Sequence, residues 1–152
     1  MTIWRPAARI RYKALGMHWR GDKLLAAEIE DDTGRVKGVR PLGGTVEFGE
    51  TSEEALRREF KEELDVEITV ESAPFFMENI YRHEGYLGHE ILALYTVNLP
   101  KDAFANQTRI RFSEDNGQVC SAQWYDLSDL DQADGPALYP TGLKQLLVNR
   151  AP

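Results

Sequence analysis

With 152 residues, 42% apolar and 28% charged side chains, the chain has the length and composition of one soluble domain that buries about 68 to 70% of its unfolded surface without a disulfide or a structural metal. Lys and Arg number 18 against 25 Asp and Glu, and the resulting charge of −7 excludes general binding to long nucleic acid or to an anionic membrane surface, because few cations are available to displace counterions. A small phosphate ligand stays compatible with that charge if a metal ion mediates its binding.

Cys120 is the single cysteine, so no internal disulfide can form, and the reading is a small buried hydrophobe in a strand. The first twenty residues carry Arg5, Arg9, Arg11, Lys13 and Arg20 and no acid, as a transit peptide would. They lack serine, however, and Ala8, Ile10, Tyr12 and Ala14 alternate with Arg9, Arg11 and Lys13, the period of a half-buried strand. No apolar run reaches membrane-spanning length, and the chain is expected in the cytoplasm as a single domain over residues 1–152.

In chain order, a strand is expected from Ala7 to Trp19, a hairpin turn at Gly21-Asp22, a second strand over Lys23 to Glu30, and a turn at Asp31 to Gly34. Val36 to Arg40 is a short strand stopped by Pro41. After a helix beginning at Thr51, Val66 to Val70 reads as a strand, and Phe75 to Arg82 with Glu90 to Leu99 as an antiparallel pair joined across Gly85 and Gly88. Lys101 to Phe112 is polar and expected to be loop, Asn116-Gly117 marks a turn, and Gln118 to Tyr125 a strand. Leu127 to Leu130 is a short helical turn, Asp131 to Pro136 a loop, and Leu138 to Val148 a closing helix. The pattern is α/β (α+β): a central mixed sheet sandwiched between helices.

The stretch Gly44 to Val66, GTVEFGETSEEALRREFKEELDV, carries the chemistry. Thr51 and Glu54 form a capping box that starts the helix. Leu56, Phe60 and Leu64 make an apolar stripe, while Glu59, Glu62 and Glu63 stand at i, i+3 and i+4 on the neighbouring face. Like charges at a separation of roughly 4 Å repel by about 4 kcal/mol at an effective dielectric near 20. Arg57, Arg58 and Lys61 can offset part of this and a divalent cation the rest. Magnesium suits an all-oxygen, carboxylate-rich set without nearby Cys or His. A solvated acidic helix face is the plainer alternative, and EF-hand spacing is absent. His83-Glu84 and His89-Glu90 lie across a hairpin and cannot form a helical zinc motif. Trp4, Trp19, Tyr81 and Tyr86 are candidates for stacking on a base.

Gly44, Glu50, Arg58-Glu59-Phe60, Glu62-Glu63 and Val66 at these spacings resemble the Nudix box of the Nudix hydrolases. Asp65 stands where the box has glycine, and Leu42 where many members have proline. The resemblance implies a Nudix-type α/β/α sandwich and hydrolysis of a nucleoside diphosphate linked to another group, with Mg²⁺ or Mn²⁺ as cofactor. It implies Glu59 and Glu63 as principal metal ligands, Glu62 as a ligand or water-orienting group, the Gly43 carbonyl as a further ligand, and Arg58 as the residue that holds Glu50 or Glu59. A base from a late loop is common in the family, and Glu114 is the candidate, with Asp115 second and Glu90 third. Members that act on ADP-ribose carry a proline about fifteen residues past the box. None occurs between Pro74 and Pro100 here, so a nucleoside triphosphate or similar small nucleotide is expected. A non-catalytic nucleotide sensor is the alternative; a homodimer is compatible with everything above.

Overall fold

The computed structural model describes residues 3–114 and 116–150, so that Asp115, the second candidate base, lies outside the described residues. The elements are β1 (Ile10–Met17), β2 (Trp19–Arg20), β3 (Lys23–Glu30), β4 (Val36–Arg40), β5 (Leu42–Thr45), α1 (Ser52–Leu64), β6 (Thr69–Val70), β7 (Phe75–His83), β8 (Tyr86–Asn98), β9 (Arg109–Ser113), β10 (Val119–Asp126), β11 (Ala137–Leu138) and α2 (Leu143–Arg150). A 3-10 turn spans Leu127–Asp129.

The strands form two mixed sheets, which with the two helices make the expected mixed α/β architecture. The first has the order β5-β1-β8-β6, with β7 also paired to β8, and its β1–β8 pair is parallel. The second has the order β11-β4-β3-β10-β9, with β2 on β3. Each helix packs on a core drawn from both sheets. Leu56, Phe60 and Leu64 of α1 join Ala14, Leu25, Ala93, Ile110 and Trp124, whereas Leu143 and Leu147 of α2 join Leu15, Leu24, Val39, Leu92 and Leu94. Full burial of side chains such as Leu56 and Phe60 stabilises by roughly 1.5 to 3 kcal/mol each, which is why α1 holds its position despite a strongly charged outer face.

The start of α1 follows its sequence. Thr51 Oγ1 accepts from the Glu54 N–H at 3.1 Å and the Thr51 N–H donates to Glu54 Oε1 at 3.0 Å, the reciprocal pair of a capping box. Asp65 closes the helix in the left-handed conformation, φ 55° and ψ 41°, with its N–H on the Lys61 carbonyl.

Four expectations need correction. In β1 the alternation runs against the proposed burial: Ile10 is 62% exposed and Lys13 only 7%, because Lys13 faces the space between the sheets. Arg109–Ser113, expected to be loop, is a strand whose Ile110 and Phe112 bury against α1's core, a short alternation obscured by flanking polar residues. Only Thr69–Val70 of the Val66 to Val70 segment pairs, although Val66 and Ile68 are buried. The closing helix starts at Leu143 because Ala137–Leu138 pairs with β4 and Gly142, at φ +94°, redirects the chain.

Candidate functional site

Arg58 is the cation that the acidic helix face requires. Its Nε and Nη2 donate to the two Glu50 carboxylate oxygens, Nη1 donates to Glu59 Oε1 at 2.9 Å and, more weakly, to Glu62 Oε2 at 3.4 Å, and Nη2 also reaches the Thr45 carbonyl at 3.0 Å. The Arg58 guanidinium holds the Glu50 carboxyl well down, to about 2, with help from the Glu47 N–H. Glu50 in return raises the Arg58 pKa. Arg57 turns instead to Glu53 and the Ile68 carbonyl, and Lys61 to Asp65, so neither serves the acidic cluster.

The three glutamates do not share one environment. Glu59 is buried, Glu63 half-buried, and Glu62 exposed at the rim. Burial is the main cause that pushes the Glu63 carboxyl far above its ordinary range; hydrogen bonding to Glu59 and the charges of Glu59 and Glu114 add to it, and only Arg40 opposes. A buried carboxyl, a half-buried one and a third from the loop after β9 therefore stand together. Glu114 also raises the Cys120 thiol, which burial and this acid together push up to about 12. Cys120 is thus a neutral thiol on β10, with no thiolate for nucleophilic chemistry.

Gly44 lets this cluster meet the sheet. A Cβ at position 44 would stand 2.3 Å from the Glu59 carboxyl carbon, so any side chain there would displace the acid. Gly43, next to it, has φ +153° and its Cβ would fall 1.9 Å from the Ala14 carbonyl oxygen. The glycine pair brings backbone to the acids.

A cleft of about 670 Å³ extends from Glu59, Glu63 and Glu114 between the two sheets. Its floor is a polar cross-strand row in which register places Arg11 and Asn79 on either side of Glu90. Lys13 Nζ lies 3.2 Å from Glu90 Oε2, and Asn79 donates to Glu90 Oε1 at 3.2 Å. Glu90 is thereby engaged as the counter-ion of a buried lysine. Among the four aromatic candidates, Trp4 and Tyr81 line the cleft, Trp19 packs on the α2 core, and Tyr86 is exposed beneath Arg5.

His83 and His89 stand on the β7–β8 hairpin as expected. Ligand atoms of Asp32, His83 and Glu84 lie within 4.8 Å of one another, yet Asp32 pairs with Arg5, His83 Nδ1 with Lys37, and Glu84 with the Asp32 N–H. The sequence reading missed Arg11, Lys13, Arg40 and Asn79. Arg11 and Lys13 carry the same alternating signature as a solvated strand face, so only the pairing of β1 with β8 reveals them.

The model of the NUDIX domain matches residues 18–145, most of the chain. The protein belongs to the Nudix hydrolase family. Curated Nudix relatives include "Nucleoside triphosphatase NudI" of Escherichia coli and of Shigella flexneri, each 32% identical over 93 residues, 60% of this chain. The chain spans 66% of the length of these relatives. Among solved structures, the Escherichia coli ORF135 protein is similar at TM-score 0.61 and 20% identity, covering 94% of this chain and 92% of that one. A MutT Nudix hydrolase from Burkholderia pseudomallei follows at TM-score 0.53 and 18% identity over 95% of this chain and 99% of that one. An ADP-ribose pyrophosphatase from Streptococcus suis reaches 0.51 at 15% identity, over 93% and 92% of the two chains. These likenesses bear on the Nudix fold, which the two mixed sheets and two helices display.

Proposed function

We propose that this Nudix protein is a metal-dependent pyrophosphohydrolase that acts on a small nucleotide, foremost a nucleoside triphosphate. The observation that carries the proposal is the convergence of Glu59, Glu63 and Glu114 at one end of the cleft, with Arg58 locking Glu59 from behind. Repelling carboxylates gathered half out of water are unfavourable alone, and an all-oxygen set of this kind fits a hard divalent cation. The space kept open by Gly44 over the Glu59 carboxylate supports the same fit.

In this reading Glu59 and Glu63 would hold Mg²⁺ or Mn²⁺, with the Gly43 carbonyl as a further ligand and Glu62, at the rim, as a ligand or a group that orients water. The bound cation would supply charge neutralisation for the pyrophosphate and acidify water. Arg58, itself anchored on Glu50, fixes the Glu59 carboxylate in place. Glu114, whose charge faces Glu63 across the cluster, takes a proton from the attacking water as general base. The cleft between the sheets receives the nucleotide and limits access of other water to the reacting phosphoanhydride.

A nucleoside triphosphate is favoured because relatives bearing that name match part of the chain, and the proline linked to ADP-ribose substrates is missing between Pro74 and Pro100. The net charge of −7 supports a small nucleotide over long nucleic acid or a membrane surface as partner, and among the described residues no helix is long and apolar enough to cross a membrane. The lone cysteine is consistent with the cytoplasm. A panel of nucleotides incubated with Mg²⁺ or Mn²⁺ tests the proposal by release of pyrophosphate or phosphate. At least one should turn over, and Glu63→Gln should abolish this with the fold retained. Tight nucleotide binding by the wild type, with no product from any member of the panel, would establish the sensor reading instead.

A further inference from the structure

We propose that β7 pairs with β7 of a second copy of this chain, antiparallel about a two-fold axis at Ile80, so that the first sheets of two molecules join into one. The starting observation is an open edge. β7 is paired to β8 along its whole length without a register shift, and its other side pairs with no strand among the described residues. Unpaired N–H and C=O groups along such an edge are a template for a further strand, and edges are ordinarily blunted by proline, lysine or a bulge. The β7 sequence, FFMENIYRH, has neither residue, and its pairing shows no bulge. Two large apolar side chains stand on its solvent face instead, Phe76 at 60% and Ile80 at 59% exposure.

The charges on that face select the partner. Glu78 and Arg82 flank Ile80 at equal distance along the strand, and side chains two residues apart share a face. Within the chain both are nearly idle. Glu78 meets only the His89 ring, at 4.0 Å, while Arg82 donates to the Gly85 carbonyl of its own turn and makes no ion pair among the described residues. An antiparallel two-fold at Ile80 sets Glu78 of each copy opposite Arg82 of the other, with Ile80 against Ile80 between the two ion pairs.

Other registers fail on the same residues. An axis at Glu78 or at Arg82 sets that charge against itself, and an axis at Asn79 or Tyr81 sets a charge against Ile80. On the opposite face, the axis at Ile80 brings Met77 against His83 and Asn79 against Tyr81. No like charges meet there, since burial and the Lys37 charge lower the His83 pKa and keep the ring neutral. The strand is thus complementary to its own sequence, which singles out a second copy as its partner. The net charge of −7 on each molecule opposes association at long range, but salt screens that repulsion while the paired charges are in contact.

The test is sedimentation equilibrium of the whole chain over a range of concentrations at an ionic strength of about 0.15 M, where the Debye length is about 8 Å. Wild type should move from 17.3 kDa to twice that mass, with a dissociation constant on the order of micromolar, as suits a small interface. Glu78→Arg and Arg82→Glu, made singly, should each weaken the dimer about tenfold or more, and the two made together should restore it. Ile80→Lys, which puts like charges together on the axis, should leave only monomer. All these positions are exposed, so the variants should melt close to wild type. A wild type that stays monomeric at every concentration, leaving the edge to a partner of another kind or to none, overturns the proposal. So does a dimer indifferent to either charge reversal or to Ile80→Lys, or a double reversal that fails to restore pairing.

Discussion

Arg58 and Glu50 meet fork to fork, Nε on Oε2 at 2.7 Å and Nη2 on Oε1 at 2.8 Å, while the third nitrogen of the same guanidinium holds Glu59. One planar cation therefore ties the loop before α1 to the acid most deeply placed in the cluster. Lysine offers a point charge without that fork. Arg58→Lys should lower kcat/KM by more than about tenfold, with only a small change in melting temperature, because the apolar stripe of α1 is untouched. The Glu50 carboxyl, depressed from 4.5 to about 2, contributes stability that is present above 4.5 and lost as pH falls toward 2. The melting-temperature advantage of wild type over Glu50→Gln should shrink across that window, as a thermal-shift series in pH would show.

Glu63 behaves in the opposite sense. Its carboxyl is raised by burial and by neighbouring acids, so the folded chain holds a proton the unfolded chain has already released, and this group destabilises the fold as pH rises above the ordinary carboxylate range. Glutamine needs no proton uptake on folding, so Glu63→Gln is expected to melt roughly 2 to 4 °C higher than wild type near neutral pH without metal, about 1 kcal/mol for a chain of this size. Saturating Mn²⁺ should raise the melting temperature of wild type and leave Glu63→Gln nearly unmoved. A variant that melted lower than wild type without metal would contradict this account of the cluster.

The contrast between α1 and β1 shows which parts of the molecule were legible beforehand. Thr51, Glu54, the Leu56-Phe60-Leu64 stripe and the acids of α1 are local features, written within a few turns of one helix, and each was found where its spacing placed it. Asp65, which stands where the box has glycine, takes the left-handed conformation that glycine enters freely. Lys13 and Arg11 obey a different logic, because whether a strand residue faces water or a cleft depends on what lies across from it. β1 is parallel to β8, some eighty residues away by register, and no local pattern encodes that pairing. Arg109–Ser113 was missed for the same reason: its two buried side chains matter only once β10 and α1 are beside them. The division into two sheets, and so the cleft itself, is a tertiary property of this kind.

Lys13 offers a pH signature of the cleft floor. Burial first, and then the charges of Arg40 and Arg11, bring its pKa down from 10.5 to about 8 against the opposing pull of Glu90. Between those values the unfolded chain binds the proton that the folded chain has lost, so this group makes stability rise with pH from about 8 to 10.5. The size is on the order of 3 kcal/mol across the window. Nitrogen-15 NMR of labelled lysine should show one Nζ titrating near pH 8, separate from the surface lysines and absent in Lys13→Met. A protein whose lysines all titrate above pH 10 would refute this.

Asp65 carries a strain that the fold accepts at the end of α1. At φ 55° its Cβ crowds the following carbonyl, a conformation glycine enters freely and aspartate tolerates at some expense. Its carboxylate recovers little, since the 2.9 Å pair with Lys61 is exposed, with Asp65 88% open to solvent. The backbone bond from the Asp65 N–H to the Lys61 carbonyl survives substitution. Asp65→Gly should therefore stabilise by about 0.5 to 1 kcal/mol, read as a rise of roughly 1 to 4 °C in melting temperature, with kcat and KM unchanged because Glu59 and Glu63 keep their places on the helix. Asp65→Val, which cannot adopt this conformation cheaply, should move stability the other way. Equal melting temperatures for the glycine and valine variants would show that the left-handed cap contributes nothing to holding the acidic helix in place.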